Sequence, residues 1–311
     1  MSHSSDQREP VCGLDEIERH LDDLLGEEYV SADYVRFTRN VLRAQRKVCE
    51  ALNASGEADI PCGRMHDASV RSITLTRDDI LFPDSHLAGL FEEICDATGG
   101  RGEASDELVS LRDAVAREPA ILKRLARNLA LHGSPVELKE LSDRAGVPVP
   151  TMLLVGRLLA VPFVTVAARR IRRSTGWHAD EEYNHGFCPM CGAPSVLAIL
   201  RREDGKRLLY CAMCGQRWAV SRIMCPFCGN RDQESLGLLV PSPGDARWIE
   251  MCGACKRYIK TVDERKLPGT DGVVPVVEET ISLHLDMLAE REGYVRPLFG
   301  REIDSRRECT E

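Results

Sequence analysis

The 311-residue chain has no Ser-His-Asp constellation, no glycine-rich phosphate loop and no convincing pair of carboxylates. Acyl, phosphoryl and glycosyl transfer each depend on one of those arrangements, so the residues point to binding rather than catalysis. Aromatic residues are scarce at 5%, but hydrophobic residues reach 43% and charged residues 29%, the make-up of a globular chain rather than a disordered or fibrous one. The length suits about two domains. There is no excess of basic residues: the net charge of −8 disfavours wholesale binding to nucleic acid or an anionic membrane. Met1 to Pro10 lacks an apolar stretch, so no cleaved secretory signal is expected and the expected compartment is the cytoplasm, where thiols stay reduced. There is no long solenoid period and no unbroken membrane-length apolar run. The one apolar segment, Pro150 to Ala168, is interrupted by Arg157 and Pro162, which reads as two buried helices broken near Pro162, not as a membrane insertion.

Apolar periodicity predicts helices over most of the first 180 residues. Leu14, Ile17, Leu21, Leu24 and Leu25 form one stripe, and Ser31 is placed to cap a helix through about Leu52. Further helices are expected from Asp84 or Ser85 to Gly99-Gly100, from Ser105, and from Pro119 to Gly133. Ser134-Pro135-Val136-Glu137 is a capping box with proline in the first turn. Around Cys188 the pattern changes. Val196 to Leu200 with Leu208 to Cys211, and Leu236 to Val240 with Trp248 to Met251, read as two β-hairpins, followed by a strand over Lys256 to Val262. Pro268 to Gly272 is a turn. From Val273 one helix is expected, with Val277, Ile281, Leu285 and Leu288 on a face, ending at Gly293. The fold class is therefore α+β. A mainly helical domain (1–183) precedes two rubredoxin-like or zinc-ribbon hairpin modules (184–219 and 220–266), and a C-terminal helix and tail (267–311) follow.

Cysteine is the residue present in excess. Of 13, eight fall between Cys188 and Cys255, in four CxxC units: Cys188 and Cys191, Cys211 and Cys214, Cys225 and Cys228, Cys252 and Cys255. A CxxC turn offers two thiolates from one tight loop, and a tetrahedral ion needs four soft donors. The first and second units, and the third and fourth, are each separated by one hairpin's length. This predicts one site at Cys188, Cys191, Cys211 and Cys214 and a second at Cys225, Cys228, Cys252 and Cys255; an interleaved pairing would need crossing connections. Thioredoxin-type redox work would need a strand-to-helix turn, whereas these units sit on hairpins. With four sulfurs per ion both sites are closed to water, so a hydrolytic metal is not expected. Spacing does not separate zinc from a single iron. Cys12, Cys49, Cys62, Cys95 and Cys309 are scattered and default to plain thiols, with Pro61-Cys62-Gly63 a half-unit lacking its partner. His185 lies near Cys188 but is not needed as a ligand, and His20, His66, His86, His132, His178 and His284 show no metal spacing.

The segment 185–265 carries a net +4, against −8 before it and −4 after it. Four thiolates around a divalent ion leave two negative charges, so the basic excess matches two such centres. That weakens the alternative reading of a zinc-ribbon nucleic-acid-binding protein, which rests on the ribbons, this basic balance and an echo of helix-turn-helix patterning in Leu138, Leu141, Ala145, Gly146, Val147 and Thr151. The would-be recognition helix, Pro150 to Ala160, offers Arg157 as its only long polar side chain and cannot read a major groove.

The four units together with their flanks resemble the FdhE family of formate dehydrogenase accessory proteins. The matching elements are Cys188-Pro189-Met190-Cys191-Gly192, Leu208-Leu209-Tyr210 into Cys211, Trp218 and Arg222 before Cys225, and Tyr258-Ile259-Lys260 after Cys255. Asp286, Glu290, Gly293 and Tyr294, Pro297 to Gly300, and Asp33-Tyr34-Val35-Arg36-Phe37 with Gln45 also match. The resemblance implies a cytoplasmic, non-enzymatic maturation factor that contacts the catalytic subunit of respiratory formate dehydrogenase before its export. It also implies rubredoxin-type iron, in preference to zinc, in the two Cys₄ sites.

Overall fold

The computed structural model describes residues 14–23, 31–54, 75–98, 103–131, 133–175, 177–267 and 273–297. Cys12, Leu24, Leu25, Cys62, His66, Gly99-Gly100, His132, the turn at 268–272, residues 298–300 and Cys309 lie outside them. The chain divides into two compact units, Val11–Thr175 and Gly176–Glu311.

The first unit is helical: α1 (Leu14–Asp23), α2 (Ala32–Ala54), α3 (Asp84–Ala97), α4 (Glu103–Arg117), α5 (Ala120–Ala130), α6 (Pro135–Ala145) and α7 (Val149–Thr175). Ser134 caps α6 as expected, the Glu137 backbone N–H donating to Ser134 Oγ at 3.3 Å, while the Glu137 carboxylate accepts from Asn128 Nδ2 at 2.9 Å. Gly146 closes α6 in the left-handed conformation, φ 67°. α7 is the axis of the unit and packs against α2, α3, α5 and α6. By length and composition alone, Val149–Arg173 is sufficient to cross a membrane. Its buried residues Met152, Val155, Leu159, Phe163 and Val164 are those a core helix surrounded by four others needs. The exposed side chains of its first turns include Leu153 and Leu154, which carry no donors for base edges.

α7 corrects the expectation of two helices broken near Pro162, because it runs straight through that proline. Proline in a helix leaves the carbonyl four residues back, here Leu158, without its N–H. Gln45, buried on α2, supplies the missing donor: its Nε2 reaches Leu158 O at 2.8 Å. The partner is 113 residues away in sequence, which is why local patterning could not reveal it. Gln45→Leu should keep the packing volume but orphan that carbonyl. We expect a loss of about 1–3 kcal/mol, read as a lower urea midpoint at an unchanged slope.

The second unit is built on one six-stranded sheet of β1 (Leu197–Leu200), β2 (Arg207–Tyr210), β3 (Arg217–Ala219), β4 (Leu236–Leu239), β5 (Arg247–Cys252) and β6 (Tyr258–Asp263), in the order β3-β2-β1-β6-β5-β4. The two expected hairpins are present. They are joined into one sheet by a parallel pairing of β1 with β6, Leu197 opposite Lys260, a link that hairpin patterning does not announce. On the outer side of β3, Tyr183 N–H donates to Ala219 O at 2.8 Å and Ala219 N–H to Glu181 O at 3.3 Å. One sheet edge is thereby closed and, among the described residues, β4 forms the other.

Register divides the side chains between two faces. One face carries Leu197, Ile199, Tyr210, Ile249, Tyr258 and Val262, and it packs against Val273 and against Leu285 and Ala289. The C-terminal segment is two helices, α8 (Pro275–Ile281) and α9 (Leu283–Arg291), where one was expected. The break is at Ser282, whose Oγ donates back to Glu278 O, a bond that bends helices. Close by, buried Lys260 turns its Nζ to Glu279 O at 3.4 Å.

Candidate metal centre

Four local turns of the same construction carry the eight cysteines. In each, the N–H following the second cysteine donates to the carbonyl of the first: Gly192 to Cys188, Gly215 to Cys211, Gly229 to Cys225 and Lys256 to Cys252, all at 2.9 Å. In each, the first cysteine's own N–H donates to a carbonyl five residues on, at Ala193, Gln216, Asn230 and Arg257. The turn requires a left-handed residue after the second cysteine. Glycine meets this at φ 70°, 72° and 77° in the first three, and Lys256 adopts φ 57° in the fourth. A non-glycine residue there costs about 1–2 kcal/mol, so the fourth unit is held in shape against local preference. Its Lys256 Nζ lies 5.4 Å over the Tyr294 ring.

The strands bring the turns together in pairs. Cys211 follows β2 and meets the Cys188 turn; Cys252 ends β5 and meets the Cys225 turn. The groupings are Cys188, Cys191, Cys211 and Cys214, and Cys225, Cys228, Cys252 and Cys255, with the sulfurs of each group all within 4.8 Å of one another. Sγ–Sγ separations are 3.5 Å for Cys188–Cys214 and Cys191–Cys211. They are 3.7 Å for Cys225–Cys255 and Cys228–Cys252. A tetrahedral ion with metal–sulfur bonds of about 2.3 Å needs sulfurs about 3.8 Å apart. Both groups therefore have the donor set and spacing to hold an ion each, and the eight residues that could hold them are the eight of the CxxC units. Zinc and iron fit this geometry alike.

Protonation is divided within each group: despite burial, hydrogen bonds from the neighbouring sulfurs hold Cys211 well down, and those of its own turn hold Cys252 down. Burial, reinforced by the neighbouring sulfurs, pushes the Cys191 and Cys214 thiols well up. The Cys255 sulfur together with burial pushes Cys225 up, and burial raises Cys228 to about 11. Four thiols packed this closely cannot all ionise unless a cation takes up the charge. The two groups differ in access: all four cysteines of the first are buried, whereas Cys228 and Cys255 of the second are half-buried. Outer contacts also differ. Met190 N–H points at Cys188 Sγ at 3.4 Å, and the Asn230 side-chain amide at Cys252 Sγ at 3.8 Å. Sequence reasoning passed over Asn230, although a polar residue directly behind a CxxCG turn is a signal that could have marked it.

The remaining candidates lie elsewhere. His185 joins neither group; its ring lies 4.7 Å from that of Tyr183, and its carbonyl accepts from Trp218 Nε1 at 2.9 Å. Tyr258 donates to Asp286 at 2.7 Å. Cys49 and Cys95 are buried single thiols in the helical unit, with burial raising Cys95 to about 11. At Gly186 an added Cβ would come within 2.4 Å of the Phe227 ring. The chain entering the first group is thereby pressed against the third turn, and Phe187 meets Phe227 edge-on at 6.5 Å.

Comparison with known proteins places this constellation. A family model described as the FdhE central domain matches residues 187–222, which hold the first cysteine group. An FdhE homologue from Aquifex aeolicus (strain VF5) is 38% identical over 120 residues, 37% of this chain and 41% of the relative. One from Haemophilus influenzae (strain PittGG) is 30% identical over 132 residues, 42% of each. The chain thus spans about two fifths of the length of these curated relatives. An FdhE homologue from Pectobacterium atrosepticum is 26% identical over 289 residues, 88% of this chain and 81% of the relative. The crystal structure of the FdhE protein from Pseudomonas aeruginosa shares the fold, with a TM-score of 0.51 at 22% identity, over 92% of this chain and 94% of that one. The central-domain match, the similarity along most of the chain and the common fold agree with the motif resemblance: the chain is similar to FdhE proteins in sequence and shares their fold.

Proposed function

We propose that this protein is a cytoplasmic accessory factor that binds the catalytic subunit of respiratory formate dehydrogenase during its maturation, before export. The observation that carries the reading is the pair of closed Cys₄ groups set in one sheet within an FdhE-type chain. Each group already has four sulfur donors per ion, so neither leaves a coordination position for a substrate. A binding role is in keeping with that chemistry, and the similarity to FdhE proteins suggests the object of the binding. Deleting the gene should abolish formate oxidation by the respiratory enzyme, and tagged protein should retain the catalytic subunit from cell extract. An empty pull-down together with unchanged formate oxidation would overturn the reading.

Iron is our proposed occupant of both groups. Bound there, it would supply a structural cross-link and the capacity to exchange one electron, whereas zinc would supply the cross-link alone. Protein purified without oxygen should be red and carry two irons per chain; colourless protein with two zincs would refute iron and leave the accessory role standing.

A further inference from the structure

The two cysteine groups are joined by buried contacts that involve none of their sulfurs. The first contact is a seat for an aromatic ring. Phe227 lies inside the third turn, between Cys225 and Cys228, and is buried. Its ring rests on the backbone of Gly186, two residues before Cys188. An added Cβ at Gly186 would overlap that ring and come within 2.9 Å of Pro226 O, so the approach depends on glycine. Phe187 meets the same ring edge-on. Gly186 and Phe187 in turn belong to the frame of the first turn. Gly186 O accepts from the Ser195 N–H and Ala193 O from the Cys188 N–H, both at 2.7 Å, and Phe187 bridges to Pro194. The segment is thus a closed loop around Cys188 and Cys191.

The second contact is polar. Arg207 is buried on β2, the strand that leads into Cys211. Its Nη1 donates at 2.9 Å to the carbonyl of Met224, the residue before Cys225. Its Nη2 pairs with Glu250, two residues before Cys252. One guanidinium, on the strand carrying a ligand of the first group, therefore holds the approaches to both turns of the second. Breaking a buried pair leaves an uncompensated charge, so this link does not yield easily.

Through these contacts each group bears on the order of the other. A loop closed by an ion through Cys188 and Cys191 keeps little freedom, and the seat at Gly186 is then fixed. A third turn docking on a fixed seat loses less entropy than one docking on a loose seat, which is positive coupling without a change of shape.

We propose that the two centres are filled as a coupled pair, an ion in either one tightening the hold on the other. Gly186, Phe227 and Arg207 are the positioning residues that carry the coupling. A chain stripped of the more accessible ion then sheds the buried one sooner, and half-loaded protein is short-lived. The inference rests on the two Cys₄ groups being ion sites, and it holds for zinc and iron alike.

The test uses the full chain loaded with two zinc ions and followed by exchange against an excess of isotopically labelled zinc. Excess metal keeps the accessible group filled, so the slow phase of wild-type exchange belongs to the Cys188 group. Cys255→Ser empties the other group and alters no ligand of the first. Its remaining ion should exchange at least about fivefold faster than that slow phase, the low end of couplings between distinct sites. In a Phe227→Leu background, where the ring has left its seat, adding Cys255→Ser should change the rate by less than about twofold. A ring with a merely structural role would shift both rates and leave their ratio intact. Gly186→Ala, which forces the ring away, should give the same small ratio and decides the matter if Phe227→Leu does not fold. An unchanged rate in Cys255→Ser, or a fivefold ratio that survives in a folded ring variant, would overturn the proposal. Wild-type protein that binds fewer than two zincs, or Cys255→Ser that keeps both, would instead remove the ligand assignment on which it rests.

Discussion

Cys211→Ser should unfold the sheet unit, not merely lower its metal content. Cys211 is completely buried and sits where β2 runs into its turn. Binding of a structural ion by four thiolates is worth about 10–16 kcal/mol in small zinc domains, comparable to the whole stability of a typical domain. A fully buried group reduced to three sulfurs loses most of that and leaves thiols packed against one another. Metal analysis should find one ion lost per chain, and the thermal transition should fall by well over 10 °C or lose cooperativity. Cys188→Ser should behave alike. Cys255→Ser should lose an ion at smaller cost in melting temperature, since that sulfur is half-buried and water can replace it. Cys225→Ser, at a buried position of the same group, should fall between the two. The difference in access also orders the loss of wild-type metal: a chelator or thiol reagent should empty the Cys225 group first. Full metal content and unchanged melting in Cys211→Ser would show that Cys211 is no ligand.

The second large effect is expected at Lys260. This side chain is 1% exposed in the middle of β6, on the face toward α8 and α9. Its Nζ donates to Asp286 Oδ2 at 2.8 Å and lies 3.2 Å from Glu279 Oε1. Arg296 contacts the same two carboxylates, and Tyr258 donates to Asp286. Replacing the pair by well-packed apolar residues could cost little, but removing one partner strands the other and typically costs about 3–5 kcal/mol. Arg296 still faces both carboxylates, so Lys260→Met should lose an amount at the lower end of that range, about 3 kcal/mol, in urea unfolding. Lys260→Met combined with Asp286→Asn should recover part of the loss, as expected for groups in direct contact. A single variant within 1 kcal/mol of wild type would show that the helices are anchored by their apolar contacts instead.

These two sites differ in how readily they could be read in advance. The cysteine groups were legible because their chemistry is local. CxxC followed by glycine marks three of the four turns, and one hairpin's length between the first and second units and between the third and fourth dictates which turns meet. Lys260 was not, because alternation in a strand says which residues share a face but not which helix will cover it. Pro162 was misread for a related reason, since the donor that rescues the helix is Gln45 on α2. The break at Ser282 hangs on a single side-chain bond, which apolar periodicity at Val277, Ile281 and Leu285 overrode. Lys256 escaped notice because its turn is set by the group it completes rather than by its own preference. Helix positions in the first unit were mostly legible from caps and stripes, while the union of two ribbons into one sheet was not, since nothing local marks β1 and β6 as partners.

That union sets an order of events for a chain emerging from the ribosome. The Cys188 group is complete once Cys214 has been made, and its hairpin can close at once. β1 then waits for β6, roughly 60 residues later, or about 3–12 s at ~5–20 residues per second. Through that interval one side of β1 is a vacant strand edge, open to pairing with other nascent chains. An ion captured early by the first four thiolates would hold the hairpin in register while the second half is synthesised, so metal supply during translation should govern how much of the chain reaches its final sheet.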